Sequence, residues 1–146
     1  MVETKRKGDW LGTYSGKRFW PLDPRPDEIT SLDIAHALSL KVRWTGHVNR
    51  FYSIAQHSLR VANVTRALVQ GMMTDTIVAY ALLHDAAEAY LPDVARPVKP
   101  FLTGFHEIEH GVQRAILTKY GLPEVYGDMA EKIAQVKRAD NILLWV

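Results

Sequence analysis

The residues with the clearest capacity for chemistry are His57, His84, Asp85 and Asp140. His84 and Asp85 stand at the end of the apolar run TIVAYALL. An ionised carboxylate there asks for a cation or hydrogen bonds, because desolvating it alone is costly. On a helix, adjacent side chains point about 100° apart, so this pair can converge on one ion held between them. His57 and Asp140 also lie among apolar neighbours, completing a set of two imidazoles and two carboxylates. Such nitrogen and oxygen donors suit Zn, Mn, Fe or Co and leave coordination positions for water and substrate. Singly, each residue has an ordinary explanation, since a lone helical histidine is usually hydrogen-bonded or at the surface. The constellation is what points to a metal.

Around this set stand residues that can handle phosphate and protons. Glu88 follows His84 by four positions and Asp85 by three, which on a helix puts it on their face, within reach of water as a general base. Arg43 offers a planar fork of donors and Trp44 a rigid face. Arg50, Arg96 and Lys99 are further phosphate-binding candidates, although surface cations are commonly just solvated. Trp20 and His47 are candidates for a base pocket, with core packing the better role for Trp20. A competing motif is HEIEH, His106 to His110, which matches the H-E-x-x-H pattern of zinc peptidases, with Glu131 downstream as a third ligand. Phe105, Ile108, Val112 and Ile116 form the apolar set of that segment, which leaves both histidines beside the core face of an amphipathic surface helix.

The elements that position these residues read as helices. Residues 1–30 form an irregular arm rich in Gly, Pro and charge, with Trp10, Tyr14, Phe19 and Trp20 as anchors. Ser31 is placed to cap a short helix containing Leu32, Ile34, Ala35 and Leu38. KVRWTGHVNRFY reads as a loop, followed by a helix over 53–70 that carries His57 and stops near Gly71. The pattern then predicts a buried helix over 74–90, a proline-punctuated loop, and amphipathic helices over 105–120 and 123–144. No repeat and no period-2 strand is evident, so the expectation is a single all-α domain over 1–146.

Composition narrows the function classes. The chain is 47% hydrophobic and 23% charged with a net charge of +2, ordinary values that predict a packed core and no strong field for a nucleic-acid polymer or a membrane. With no cysteine, thiolate metal sites and disulfides are excluded. The N-terminus lacks the apolar core of a signal peptide, making the cytoplasm the expected location.

His57, His84-Asp85 and Asp140, in this order, resemble the H…HD…D signature of HD-domain phosphohydrolases. HDAAEAYLPDVARPVK is similar to the corresponding segment of bacterial deoxyribonucleoside 5′-monophosphatases, and RFWPLDPRPDEITSLDIAHALSLKVRW with RFYSIAQHS resembles small phage and prophage phosphohydrolases, among them dATP triphosphohydrolases. The resemblance implies a helical bundle, one divalent metal on the four named residues, and hydrolysis of a deoxynucleotide mono- or triphosphate by metal-activated water. It implies Glu88 and Asp93 as catalytic acids or bases, Arg43 and Trp44 as nucleotide contacts, additional Mg with a triphosphate, and a homo-oligomer. In this chain Arg43-Trp44 lies one residue closer to His57 than the equivalent pair in the monophosphatases. The sequence also ends six residues after Asp140, where relatives continue with further helix, which suggests a shortened chain. The readings from other classes are a non-catalytic regulatory protein that keeps this fold, and the zinc peptidase. Against the former, every residue of the signature is present.

Overall fold

The computed structural model describes residues 5–71, 73–123 and 128–145. Five helices carry the fold: α1 (Ser31–Leu40), α2 (Ile54–Leu68), α3 (Thr74–Leu82), α4 (Phe105–Lys119) and α5 (Asp128–Ile142). The all-α expectation holds, with one small addition. Within the arm, β1 (Leu11–Gly12) and β2 (Arg18–Phe19) pair antiparallel around a turn closed by Gly16 at φ 82°. Strands of two residues are too short to write an alternating pattern into the sequence.

Capping residues set where the helices begin. Thr30, not Ser31, caps α1: its backbone is extended and its Oγ1 accepts from Asp33 N at 3.1 Å, while Ser31 is already helical. Ser53 caps α2 in a reciprocal box with Gln56. Gly71 lies beyond the end of α2, which stops at Leu68 with Val69 extended. Part of the expected start of the last helix, residues 124–127, falls outside the described residues.

The larger departure is α3, which ends at Leu82 instead of running to Tyr90. Leu83 and Asp85 adopt non-helical backbone angles, and Ala86–Ala89 continues as a 3₁₀ turn. Gln113 on α4 is the reason visible in the structure. Its side chain accepts from Ala87 N at 3.1 Å and donates to Leu83 O at 2.7 Å, taking up backbone groups that an unbroken helix would pair internally. Apolar composition alone cannot report a turn imposed by a distant amide.

Two clusters form the core. One joins Phe19 and Ile29 of the arm to Ile34, Ile54, Tyr90 and Ile116, with Phe19 stacked on Tyr90 at 4.0 Å. The other packs α2, α3 and α5 through Val61, Ile77, Ala81, Val136 and Ala139. The arm is held by polar contacts as well. Asp33, 3% exposed, accepts from Ser15 N, Ser15 Oγ and Thr30 Oγ1 at 2.7–2.8 Å. These bonds outweigh burial and keep its pKa below the ordinary carboxylate value. Arg6 pairs with Asp23 and Glu28 and lies over the Trp20 ring, so Trp20 serves packing.

Asp33→Ala strands three donors in a partly buried setting, so it is expected to cost about 2–3 kcal/mol in urea-induced unfolding, read as a lower midpoint at unchanged m-value.

Candidate metal centre and cleft

α2 and α5 bring His57 and Asp140 face to face. His57, with no exposed surface, places Nε2 2.9 Å from Asp140 Oδ1, yet neither atom completes a hydrogen bond. The turn after α3 supplies the rest. His84 Nδ1 lies 2.7 Å from the Ala81 carbonyl, a contact that fixes the proton on Nδ1 and turns the Nε2 lone pair inward. That Nε2 lies 3.1 Å from Asp85 Oδ2, and Asp85 Oδ2 lies 3.8 Å from His57 Nε2. His84 and Asp85 thus converge through a turn instead of by helical spacing.

Among the described residues, His57, His84 and Asp140 offer ligand atoms all within 4.8 Å of one another. Buried ring nitrogens and a carboxylate oxygen without hydrogen-bond partners are the pattern of side chains arranged around a cation. The donor set, two imidazoles with carboxylates, fits a divalent transition metal. Asp85 adjoins this trio but is shared, since Arg43 Nη1 donates to its Oδ2 at 3.2 Å.

Electrostatics divide the set: burial acts to lower His84 but Asp85 outweighs it and the pKa is raised, whereas the other ligands move the other way. Burial works to raise the Asp85 carboxyl, but His84, Arg43 and His57 override it and hold the pKa well below the usual range. Asp140 is likewise lowered, against burial, by His57. His57 is pushed down by burial, toward the neutral form a metal ligand requires. Glu88 goes the other way: burial first, then repulsion by Asp85 and Asp93, push its pKa up to about 8.

These residues border a cleft of about 530 Å³ lined by Arg43, Trp44, Asp85, Glu88, Asp93, Arg96, Lys99 and Asp140, with His47 at its side. Nine of the thirteen metal, catalytic and pocket candidates named from the sequence, His47 among them, therefore line this cleft, and His57 and His84 adjoin it through Asp140 and Asp85. Arg50 lies apart, on an adjoining groove beyond Trp44. Arg96 is mostly exposed and 3.8 Å from Asp140 Oδ2, and Lys99 is tied to Glu109 at 2.7 Å. A separate apolar hollow of about 570 Å³, lined by Ile34, Leu38, Leu59 and Leu82 among others, has no carboxylate, imidazole or cationic side chain. The polar cleft is where chemistry is feasible.

Sequence reading missed the residues that shape the cleft from behind. Lys41 donates to the carbonyls of Glu88 and Leu91, tying the 3₁₀ turn to the end of α1. Gln113 holds the other side of that turn. Neither carries a motif, because each acts on backbone atoms distant in sequence. Trp44 and Thr45 have φ of 51° and 55°, a left-handed stretch that side chains rarely adopt and that aims Arg43 and Trp44 at the cleft. The stretch is closed by Arg43 N to Tyr52 O at 3.0 Å and Gly46 N to Arg43 O at 3.1 Å. His106 and His110 lie on α4 with their rings stacked, and with Glu131 they form no metal-capable trio among the described residues.

The model of the HD domain family matches residues 54–143. The chain is 36% identical over 135 residues to the uncharacterized protein YfdR of Escherichia coli (strain K12), covering 92% of this chain and 68% of YfdR. It is 35% identical over 139 residues to an uncharacterized protein of Rhodobacter capsulatus, covering 93% of this chain and 69% of that protein. No helix of the described residues is long and apolar enough to cross a membrane.

Zn²⁺ or Mn²⁺ added to chelator-treated protein is expected to raise Tm, by about 2.7 kcal/mol of stability at a hundredfold excess over Kd. Most of that gain should vanish in Asp140→Asn; an equal gain in the variant would exclude the trio as the cation site. Glu88 gives a second expectation. Its folded pKa of about 8 exceeds the ordinary 4.5, so its stabilising proton is fully present below 4.5 and is lost as pH rises toward 8. In metal-free protein, the Tm of Glu88→Gln relative to wild type should therefore climb between pH 5 and pH 8, and a flat difference would contradict the burial of this carboxyl.

Proposed function

The chain belongs to the HD-domain family of metal-dependent phosphohydrolases, and from that premise we propose that it hydrolyses a phosphate ester or anhydride of a deoxynucleotide. The observation that carries this reading is one cleft lined by Arg43, Asp85, Glu88 and Asp140, the last of which belongs to the His57–His84–Asp140 trio. The cleft's volume is that of a small-molecule site.

His57, His84, Asp85 and Asp140 would hold the divalent ion. When bound, such an ion polarises a phosphoryl oxygen and makes water more acidic. The remaining steps belong to the chain's own residues. Arg43 already spends one nitrogen on Asp85, while its Nε is buried without a partner, so the guanidinium links the ligand set to a substrate phosphate. Trp44, stacked with Tyr52 at 5.8 Å, presents an aromatic face for the nucleoside. Glu88 lies three residues after Asp85 in a 3₁₀ turn, a spacing that aligns side chains on one edge. It would accept the proton of the attacking water: burial, and then repulsion by Asp85 and Asp93, raise its pKa, and a bound cation would offset the repulsive part. Asp93, which also lines the cleft, is positioned to orient that water, and the proton taken up by Glu88 passes on to the departing oxygen. Lys99 and Arg96 supply positive charge at the rim.

Product analysis of metal-loaded protein with matched dNMP and dNTP panels tests the proposal. Free phosphate from dNMPs identifies a 5′-nucleotidase, and tripolyphosphate from dNTPs identifies a triphosphohydrolase. Arg43→Ala is expected to lower kcat/KM by roughly tenfold to a hundredfold, and Asp85→Ala to abolish turnover. Activity surviving in Asp85→Ala would remove the metal centre from the mechanism. No turnover with any substrate would favour the non-catalytic reading.

A further inference from the structure

The H-E-x-x-H segment is not explained by the cleft chemistry, and its position in the fold gives it another use. His106 and His110 are four residues apart on α4, so their side chains stand one above the other on one helical face. Their rings are nearly parallel, 10° apart, with centroids separated by 6.2 Å. Both are exposed, so neither is committed to the core. Glu109 lies between them in sequence and borders the same cavity as they do, but its carboxylate is taken up by Lys99 at 2.7 Å. This face does not look out on open solvent alone. It borders a cavity of about 190 Å³ whose opposite wall carries His84, Asp85 and Glu88.

We infer that His106 and His110 form a second divalent transition-metal site, separate from the His57–His84–Asp140 trio, in which the two imidazoles are the protein ligands. Three physical points support it. Two imidazoles one helical turn apart are the arrangement by which histidines chelate a metal on a helix. Imidazole nitrogen suits Zn, Cu, Ni or Co over Mg or Ca, which fixes the class of cation. The rigid α4 backbone, anchored through Val112 and Ile116 in the core, preorganises the pair and reduces the ordering cost of chelation. Glu107 of the peptidase motif is exposed and does not border this cavity, so the motif serves binding without its peptidase general base.

A cation at this place adds positive potential to the cavity shared with Asp85 and Glu88, on the side away from Trp44. Its influence on a substrate phosphate rests on the phosphohydrolase reading, whereas the site itself does not.

The test is metal stoichiometry, with the chelator-stripped 146-residue chain titrated with Zn²⁺ by calorimetry and with Co²⁺ by visible absorption. Wild type is expected to take up two ions per chain, His106→Ala/His110→Ala one, and Asp140→Asn one. Because His106 and His110 are exposed, their replacement leaves the core untouched, and circular dichroism confirms folding. The Co²⁺ bands remaining in each variant should differ and sum to those of wild type. One ion in wild type, or an undiminished stoichiometry in His106→Ala/His110→Ala, overturns the inference. Loss of an ion from the α4 variant with none lost from Asp140→Asn would instead sustain this site and overturn the trio.

Discussion

Unpaired lone pairs meeting inside a helical core are the constraint on which this structure turns. His57 Nε2, His84 Nε2 and Asp140 Oδ1 lie close together, shielded from solvent and without hydrogen-bond partners. Such a cluster is unfavourable unless something positive satisfies it. The surrounding structure is organised to keep it in place. The Ala81 carbonyl fixes the His84 tautomer, Arg43 holds Asp85, and the second core cluster packs α5 against α2 so that Asp140 meets His57. Stability of the fold and affinity for a cation are therefore linked.

The break after Leu82 follows from the same requirement. A helix continued to Tyr90 would keep Glu88 on the face of His84 and Asp85 but hold those two side chains about 100° apart. The turn instead brings His84 and Asp85 within 3.1 Å and lines up Glu88 on the cleft. Backbone groups freed by that turn are taken up by Gln113 and Lys41, residues on α4 and at the end of α1. Strain at Trp44 and Thr45 does the equivalent for the other wall, holding Arg43 close to Asp85. The cleft is built from short irregular segments pinned between regular helices.

Charge within the cleft is divided by environment. Asp85 and Asp140 are kept ionised by neighbouring imidazoles and, for Asp85, by Arg43, whereas Glu88, with burial and two carboxylates against it, holds its proton to about pH 8. Carboxyl groups pushed apart in this way have separate uses, some as ligands and one as a proton carrier. The arm contributes at a distance, since Phe19 stacks on Tyr90 immediately after the turn that holds Glu88.

The sequence by itself determined the helical class, the approximate span of four helices and the identity of the polar residues around the cleft. Those features are local: apolar periodicity, capping residues and charged groups placed among apolar neighbours all act over a few positions. Only the tertiary structure decided where α3 stops, which groups clamp the turn, and that Arg50 faces a different groove. Gln113 reaches across 26 to 30 residues and Lys41 across 47 to 50, so no local pattern records their work. The left-handed stretch at Trp44–Thr45 was equally hidden, because non-glycine residues enter it only when surrounding contacts compel them. Local propensities named the chemical groups, and long-range hydrogen bonds and packing set the distances between them.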